Sequence, residues 1–194
     1  AGNNMAVPEE PFRKPGTRAV RPRDAATLII CRWHKGALEV LLGERNASHR
    51  FLPSRYVFPG GRVDRTDSRV RAATPMRADV KELLERKASP ARAHGLMAAA
   101  VRETYEETGL IIGATDPAPG RPAPANWQEF FATGMAPSFK PITYVARAVT
   151  PAWRPIRFNA RFFMVDASHV TGDLAGSGEL LNLTFVPIAE TAGL

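Results

Sequence analysis

The sequence predicts an α/β fold on three observations: two apolar runs flanking a tight turn, a long helix with both ends marked, and an apolar stretch resuming directly after it. The runs are Ala26 to Trp33 and Leu38 to Arg45, and the turn His34-Lys35-Gly36-Ala37 between them makes a β-hairpin. Ser89 as N-cap and Pro90 as first helical residue start the helix, which should run to about Thr108, where Gly109 supplies the stop. Leu110-Ile111-Ile112 then reads as a strand, giving the order strand, helix, strand.

The remaining elements follow in chain order. Residues 1 to 23 are rich in Pro and charge without periodicity and read as a flexible arm, and residues 24 to 194 as one domain able to bury a sizeable core. Tyr56-Val57-Phe58 is a third short strand running into Pro59-Gly60-Gly61, whose glycines permit close approach of another group. The charged stretch 64 to 89 contains a helix over Ala78 to Lys87. Residues 113 to 141, Pro- and Gly-rich around a short helix from Trp127 to Ala132, are too long for an inert connection and suit a substrate wall. Trp127, Phe130 and Phe131 stand at helical spacing and read as core. Thr143 to Ala148, Arg161 to Val165 and Leu181 to Val186 are further strands, the last preceded by a flexible loop from Gly172 to Gly178.

Composition narrows the function classes. A net charge of +7 with Arg in excess of Lys suits an anionic partner, yet no basic block interleaved with aromatics supports nucleic acid, so a small anionic substrate is the expected partner. No apolar run approaches the roughly 20 residues of a membrane span, and the N-terminal stretch lacks the apolar segment of a secretory signal. The single cysteine, Cys31, excludes an internal disulfide and fits a cytoplasmic location.

The chemistry concentrates in Arg102-Glu103-Thr104-Tyr105-Glu106-Glu107-Thr108-Gly109-Leu110. Glu103, Glu106 and Glu107 stand at i, i+3 and i+4, so three carboxylates share one helix face, with Met97, Ala98, Val101 and Tyr105 supplying an apolar stripe opposite. Their mutual repulsion weakens the bare helix, and a hard divalent cation with oxygen ligands, Mg2+ or Mn2+, would reverse that cost.

This segment, together with Phe58-Pro59-Gly60-Gly61, resembles the Nudix hydrolase box: Gly, five residues, Glu, seven residues, then Arg-Glu, an aliphatic position, x, Glu-Glu, x, Gly and an aliphatic residue. Arg102-Glu103, Glu106-Glu107 and Gly109-Leu110 occupy the prescribed places, with Thr104 at the aliphatic one. Arg102 lies 41 positions after Gly61, an insertion of about 27 residues placed at about 65–90. Counting back from Arg102 puts the first box glutamate on His94, so either His94 substitutes for it or Asp64, Asp67, Glu82 or Glu85 reaches in from the insert. The run from Leu41 to Asp64, with Ala146 to Pro151 and Arg157 to Phe163, resembles the branch containing peroxisomal coenzyme A diphosphatases, which carries a long insertion in the box; Asn159 stands where Asp is often found, and the Gly-Glu pair expected before Phe-Pro-Gly-Gly is absent. The resemblance spans roughly residues 25 to 190.

The resemblance implies an α/β/α sandwich with a mixed sheet, allows a homodimer, and implies cleavage of a phosphoanhydride bond in a nucleoside diphosphate derivative. Coenzyme A or acyl-coenzyme A is the leading substrate, ADP-ribose or another nucleoside diphosphate linked to a small group the enzyme alternative. A noncatalytic nucleotide sensor and an RNA-decapping role are the readings from other classes. Glu103, Glu106 and Glu107 would hold the metal with the Gly60 carbonyl, and Arg102 would orient them. Glu106, Glu107 or the loop acid Glu179 would activate the water. Arg45, Arg50 and Arg55, with Gly60 and Gly61, would meet the substrate's phosphates.

Overall fold

The computed structural model describes residues 16, 18–46, 55–176 and 178–193. Most of the arm at 1–23 and Arg50 lie outside the described residues. Strand β1 (Arg23–His34) is the centre of the sheet, and its alternation buries Ala26, Leu28 and Ile30 completely on one face. It turns through Lys35 and Gly36, at φ 48° and 80°, into antiparallel β2 (Ala37–Arg45). Two successive positive φ values define the turn whose twist matches a hairpin, and Gly36 supplies one of them without strain.

On its other side β1 pairs in parallel with β8 (Phe158–Asp166), from Arg23↔Phe158 to Cys31↔Asp166, which makes the sheet mixed. The path runs β3-β2-β1-β8-β7, with β3 at Tyr56–Val57 and β7 at Thr143–Val149; β4 (Gly60–Arg62) pairs with β1 and β9 (Leu180–Pro187) with β2. A separate two-stranded ribbon joins β5 (Gly113–Thr115) to β6 (Met135–Pro137).

Helix α1 (Ala78–Glu85) packs on β7 and on helix α2 (Pro90–Thr108), which lies across β1. The ends of α2 form as their sequence predicts: the Ser89 side chain accepts from the Arg92 N–H at 3.3 Å, Pro90 opens the first turn, and Gly109 at φ 75° donates its N–H to the Tyr105 carbonyl at 2.8 Å. Its middle, Leu96 to Val101, is wholly buried, and three consecutive alanines let it lie close to Ala26 and Leu28. Helix α3 (Gln128–Ala132) follows a 3-10 turn at Ala125–Trp127, and Trp127 and Phe130 join the core as expected. No described helix is long and apolar enough to cross a membrane.

The architecture is the expected α/β one with a mixed sheet, with corrections in detail. Leu110 to Ile112 is not a strand: Ile111 makes only an isolated bridge to Thr171, and ladder pairing begins at Gly113. The first helix ends at Glu85 rather than Lys87. The three-residue strand β4 is formed within the glycine turn because β1 extends far enough to pair with it.

Candidate functional site

The last two turns of α2 carry Arg102, Glu103, Glu106 and Glu107 to the β4 turn. Arg102, 4% exposed, is the hub. Its Nε and Nη2 donate to the two carboxylate oxygens of Asp67 at 2.9 and 3.1 Å, Nη1 meets Glu103 and Glu106 at 2.9 Å each, and Nη2 also reaches the Arg62 carbonyl at 3.0 Å. Burial works against the guanidinium charge, but the bonds to Asp67 and the neighbouring Glu103 and Glu106 outweigh it and hold the group firmly protonated.

The glycines of the turn make direct approaches to the helix. Gly60 donates its N–H to Glu107 Oε2 at 2.8 Å. At φ 153° it occupies backbone space unfavourable to side chains, and a Cβ there would collide with the Thr27 Cα at 2.6 Å. A Cβ on Gly61 would fall on the Glu103 carboxylate. The loop that the sequence offers as a docking point is therefore docked on two of the three glutamates.

Burial raises all three carboxyl groups. It carries Glu103 up to about 7, with Arg102 opposing and Glu106 and Asp67 adding to the rise. Glu107 rises to about 8, chiefly by burial, the Gly60 N–H and Arg45 opposing and Glu103 and Glu179 adding. Glu106, with a side chain 40% exposed, is raised by burial and restrained by Arg102.

Arg45, the last residue of β2, and Glu179, just before β9, join the site because the pairing of the two strands places Arg45 opposite Leu180. Burial lowers the Arg45 guanidinium while Glu107 and Glu179 oppose that shift, so all three charges share one neighbourhood. Glu179 itself is exposed, and its carbonyl accepts from the Asn46 N–H at 3.1 Å. Arg55, just before β3, lies across from Arg45, its carbonyl accepting from the Arg45 N–H at 2.9 Å.

Of the upstream candidates His94, Asp64, Asp67, Glu82 and Glu85, Asp67 is the one that meets Arg102. It is fully buried and, besides Arg102, accepts from the Trp127 indole at 2.9 Å and from the Asp64 N–H at 2.7 Å. His94 bonds the Val70 carbonyl at 2.8 Å and packs edge-on against Phe139. Glu82 pairs with Arg86, Glu85 faces Lys81 at 4.0 Å, and Asp64 accepts from Asn126 at 3.3 Å. Asp67 stands six positions after Gly61, the place of the box glutamate when the pattern is counted forward from the glycine. Counting back from Arg102 crosses the insertion and misses it.

In donor chemistry the cluster fits a hard divalent cation: all its side-chain donors are carboxylate oxygens, and Asp67, Glu103, Glu106 and Glu107 outnumber the guanidinium groups of Arg102 and Arg45. As folded, however, Glu103 and Glu106 turn to Arg102 and Glu107 to Gly60, and no group of three His, Cys, Asp or Glu among the described residues converges on one point. Taking an ion requires at least Glu103 or Glu106 to leave Arg102, whose charge Asp67 would still balance.

No family model matches the chain, and no curated protein matches it. Solved structures do. A NUDIX hydrolase from Alicyclobacillus acidocaldarius is similar over 86% of this chain and 79% of its own, at 27% identity and a TM-score of 0.66. A MutT/nudix family protein from Enterococcus faecalis is similar over 90% of this chain and 47% of its own, at 15% identity and a TM-score of 0.50, a likeness of fold alone. The chain has the Nudix hydrolase fold, and its likeness to the Alicyclobacillus acidocaldarius NUDIX hydrolase supports a place in the Nudix superfamily.

Proposed function

We propose that this chain hydrolyses a phosphoanhydride bond in a nucleoside diphosphate derivative with the help of Mg2+ or Mn2+. The observation that carries the reading is the gathering of Glu103, Glu106 and Glu107 at one helix end, with Glu103 and Glu107 set against glycines that leave no room for side chains and all three carboxyl groups raised above their ordinary range. Glu103, Glu106 and Glu107, with the Gly60 carbonyl, would hold the ion. When bound, such an ion neutralises the non-bridging phosphate oxygens and acidifies a water. Arg102 orients Glu103 and Glu106. Glu106, the glutamate with an exposed face, is the base with room to accept a proton from the attacking water, and burial raises its carboxyl above the ordinary range, which strengthens it as a base. Glu107 stays tied to Gly60, and Glu179 adds negative charge beside it. Arg45 and Arg55 supply cationic partners for the outer phosphates.

Coenzyme A, acyl-coenzyme A and ADP-ribose are the substrates to compare, each incubated with Mg2+ and scored by the paired phosphate-monoester products. Turnover of at least one is expected. No turnover of any nucleoside diphosphate derivative would end the hydrolase reading.

Two further results are expected of the same site. Gly61→Ala should push Glu103 off its position and lower kcat about tenfold or more, at a mobility and melting temperature close to wild type. Wild-type rates would show that Gly61 does not abut Glu103. For pH, Glu103 and Glu107 ionise near 7 and 8 in the folded chain against an ordinary 4.5. Between those values the folded chain binds more protons than the unfolded one, so metal-free stability falls as pH rises through that window. A cation must displace those protons, so Mn2+ affinity should rise steadily from about pH 6 upward and level off above about pH 9. Calorimetry in buffers of different ionisation enthalpy reads the protons released; a pH-independent affinity would contradict the assignment.

A further inference from the structure

Glu106 has a second exposure. Beyond Arg102 it forms one wall of a cleft of about 320 Å³ whose other described walls are Tyr105, Ala125, Asn126, Gln128, Glu129 and Phe130. That volume lies at the lower end of small-molecule sites and suits a single sugar. The floor is fixed: the Asn126 amide accepts from Thr66 Oγ1 at 3.0 Å and donates to Asp64 at 3.3 Å, and Tyr105 meets Phe130 edge-to-face with ring centroids 5.3 Å apart. The rim is Gln128 and Glu129, both exposed on α3.

The cleft's charge is opposite to the chain's. In a molecule of net charge +7, the residues lining the cleft present two carboxylates and no cation of their own; Glu106 is paired with Arg102 at 2.9 Å, and Glu129 stands exposed on the rim. A phosphate or carboxylate entering there would meet like charge in a partly desolvated space, whereas hydroxyl groups would find carboxylate and amide acceptors. Neighbouring Glu107 faces the other way, toward Gly60 and Arg45. A diphosphate lying across the two glutamates would leave its anionic centre by the glycine turn and one arm in the cleft.

We propose that this cleft is the specificity subsite of the site described above: it takes the uncharged, hydroxyl-rich sugar arm of a nucleoside diphosphate sugar, with Glu129 and Gln128 as the selecting residues. The proposal rests on the hydrolase reading for the position of the diphosphate. It favours ADP-ribose and similar compounds over substrates whose corresponding arm is anionic, and it gives the long segment between β5 and β6 a function, since that segment builds the outer wall.

The test uses a matched pair, UDP-glucose and UDP-glucuronate, which differ only in a hydroxymethyl group replaced by a carboxylate. With the full chain and Mg2+, kcat/KM should favour UDP-glucose by about tenfold, carried by KM. Glu129→Lys should shrink that preference to about threefold or less, and Gln128→Trp, which fills the cleft, should raise KM for UDP-glucose and ADP-ribose alike by about tenfold. Both substitutions are on exposed positions, and unchanged melting temperatures confirm that the fold is kept. Calorimetric binding of the same pair separates the two readings. Tighter binding of UDP-glucose without turnover would sink the hydrolase reading and keep the cleft assignment. Turnover without discrimination, binding of neither sugar, or a Gln128→Trp variant with wild-type KM would overturn the cleft assignment.

Discussion

Glu106→Gln is expected to lower kcat by about 10²–10⁴-fold, the usual worth of a positioned general base, with KM for the nucleotide changed only a few-fold. The substitution keeps size and shape and removes only charge and basicity. The fold should tolerate it for a structural reason: Arg102 Nη1 meets Glu106 at 2.9 Å but meets Glu103 at the same distance, and its Nε and Nη2 are held by Asp67. The Glu106 side chain is 40% exposed, so the amide can stay solvated without leaving a buried group unpaired. Initial rates at saturating Mg2+ and substrate, beside circular dichroism of the variant, give the answer. A kcat within about threefold of wild type would remove Glu106 from the proton transfer and move the role to Glu107 or Glu179.

That prediction draws on residues legible in the sequence, and the reason is locality. The start and stop of α2 are decided by Ser89, Pro90 and Gly109 acting on backbone groups a few residues away, so they form where they are expected. The hairpin turn at Lys35-Gly36 is equally local. The spacing of Glu103, Glu106 and Glu107 within one helix then fixes their common direction. What escaped was non-local. Strand β4 is two glycines and an arginine, with little intrinsic strand preference, and becomes a strand only by pairing with Ala25, Ala26 and Thr27. Leu110 and Ile112 are buried at the helix exit with Ile111 packed against the core, and burial alone does not make a ladder. The meeting of Arg45 with Glu179 depends on β2 pairing with β9, far apart in the chain. Trp127 reads correctly as core from its spacing, but its indole N–H on Asp67 joins the 113–141 segment to the box in a way no local pattern announces.

Asp67 is where that non-local joining can be tested most sharply. Its carboxylate is fully buried and carries four hydrogen bonds, two from Arg102, one from Trp127 and one from the Asp64 N–H. Asp67→Ala leaves Arg102, itself 4% exposed, with Glu103 and Glu106 as its only carboxylates, and orphans an indole and a backbone donor. Removing one partner of a buried pair costs about 3–5 kcal/mol, which for a chain of this size lowers the melting temperature by about 6–20 °C. Asp67→Asn should cost less, because one oxygen can still accept from Trp127 and Arg102 Nε, although its NH2 then opposes the Asp64 N–H and Arg102 Nη2. The two variants share a second effect on the site. With the Asp67 charge gone, the Arg102 charge is balanced only by Glu103 and Glu106, so both carboxylates are drawn to it and away from an incoming cation. Mn2+ affinity of Asp67→Asn should therefore fall about tenfold, beyond anything its modest loss of stability explains. A stable Asp67→Ala variant with wild-type Mn2+ affinity would mean that Arg102 is neutralised by some other group, and the charge balance at the helix end would have to be reassigned.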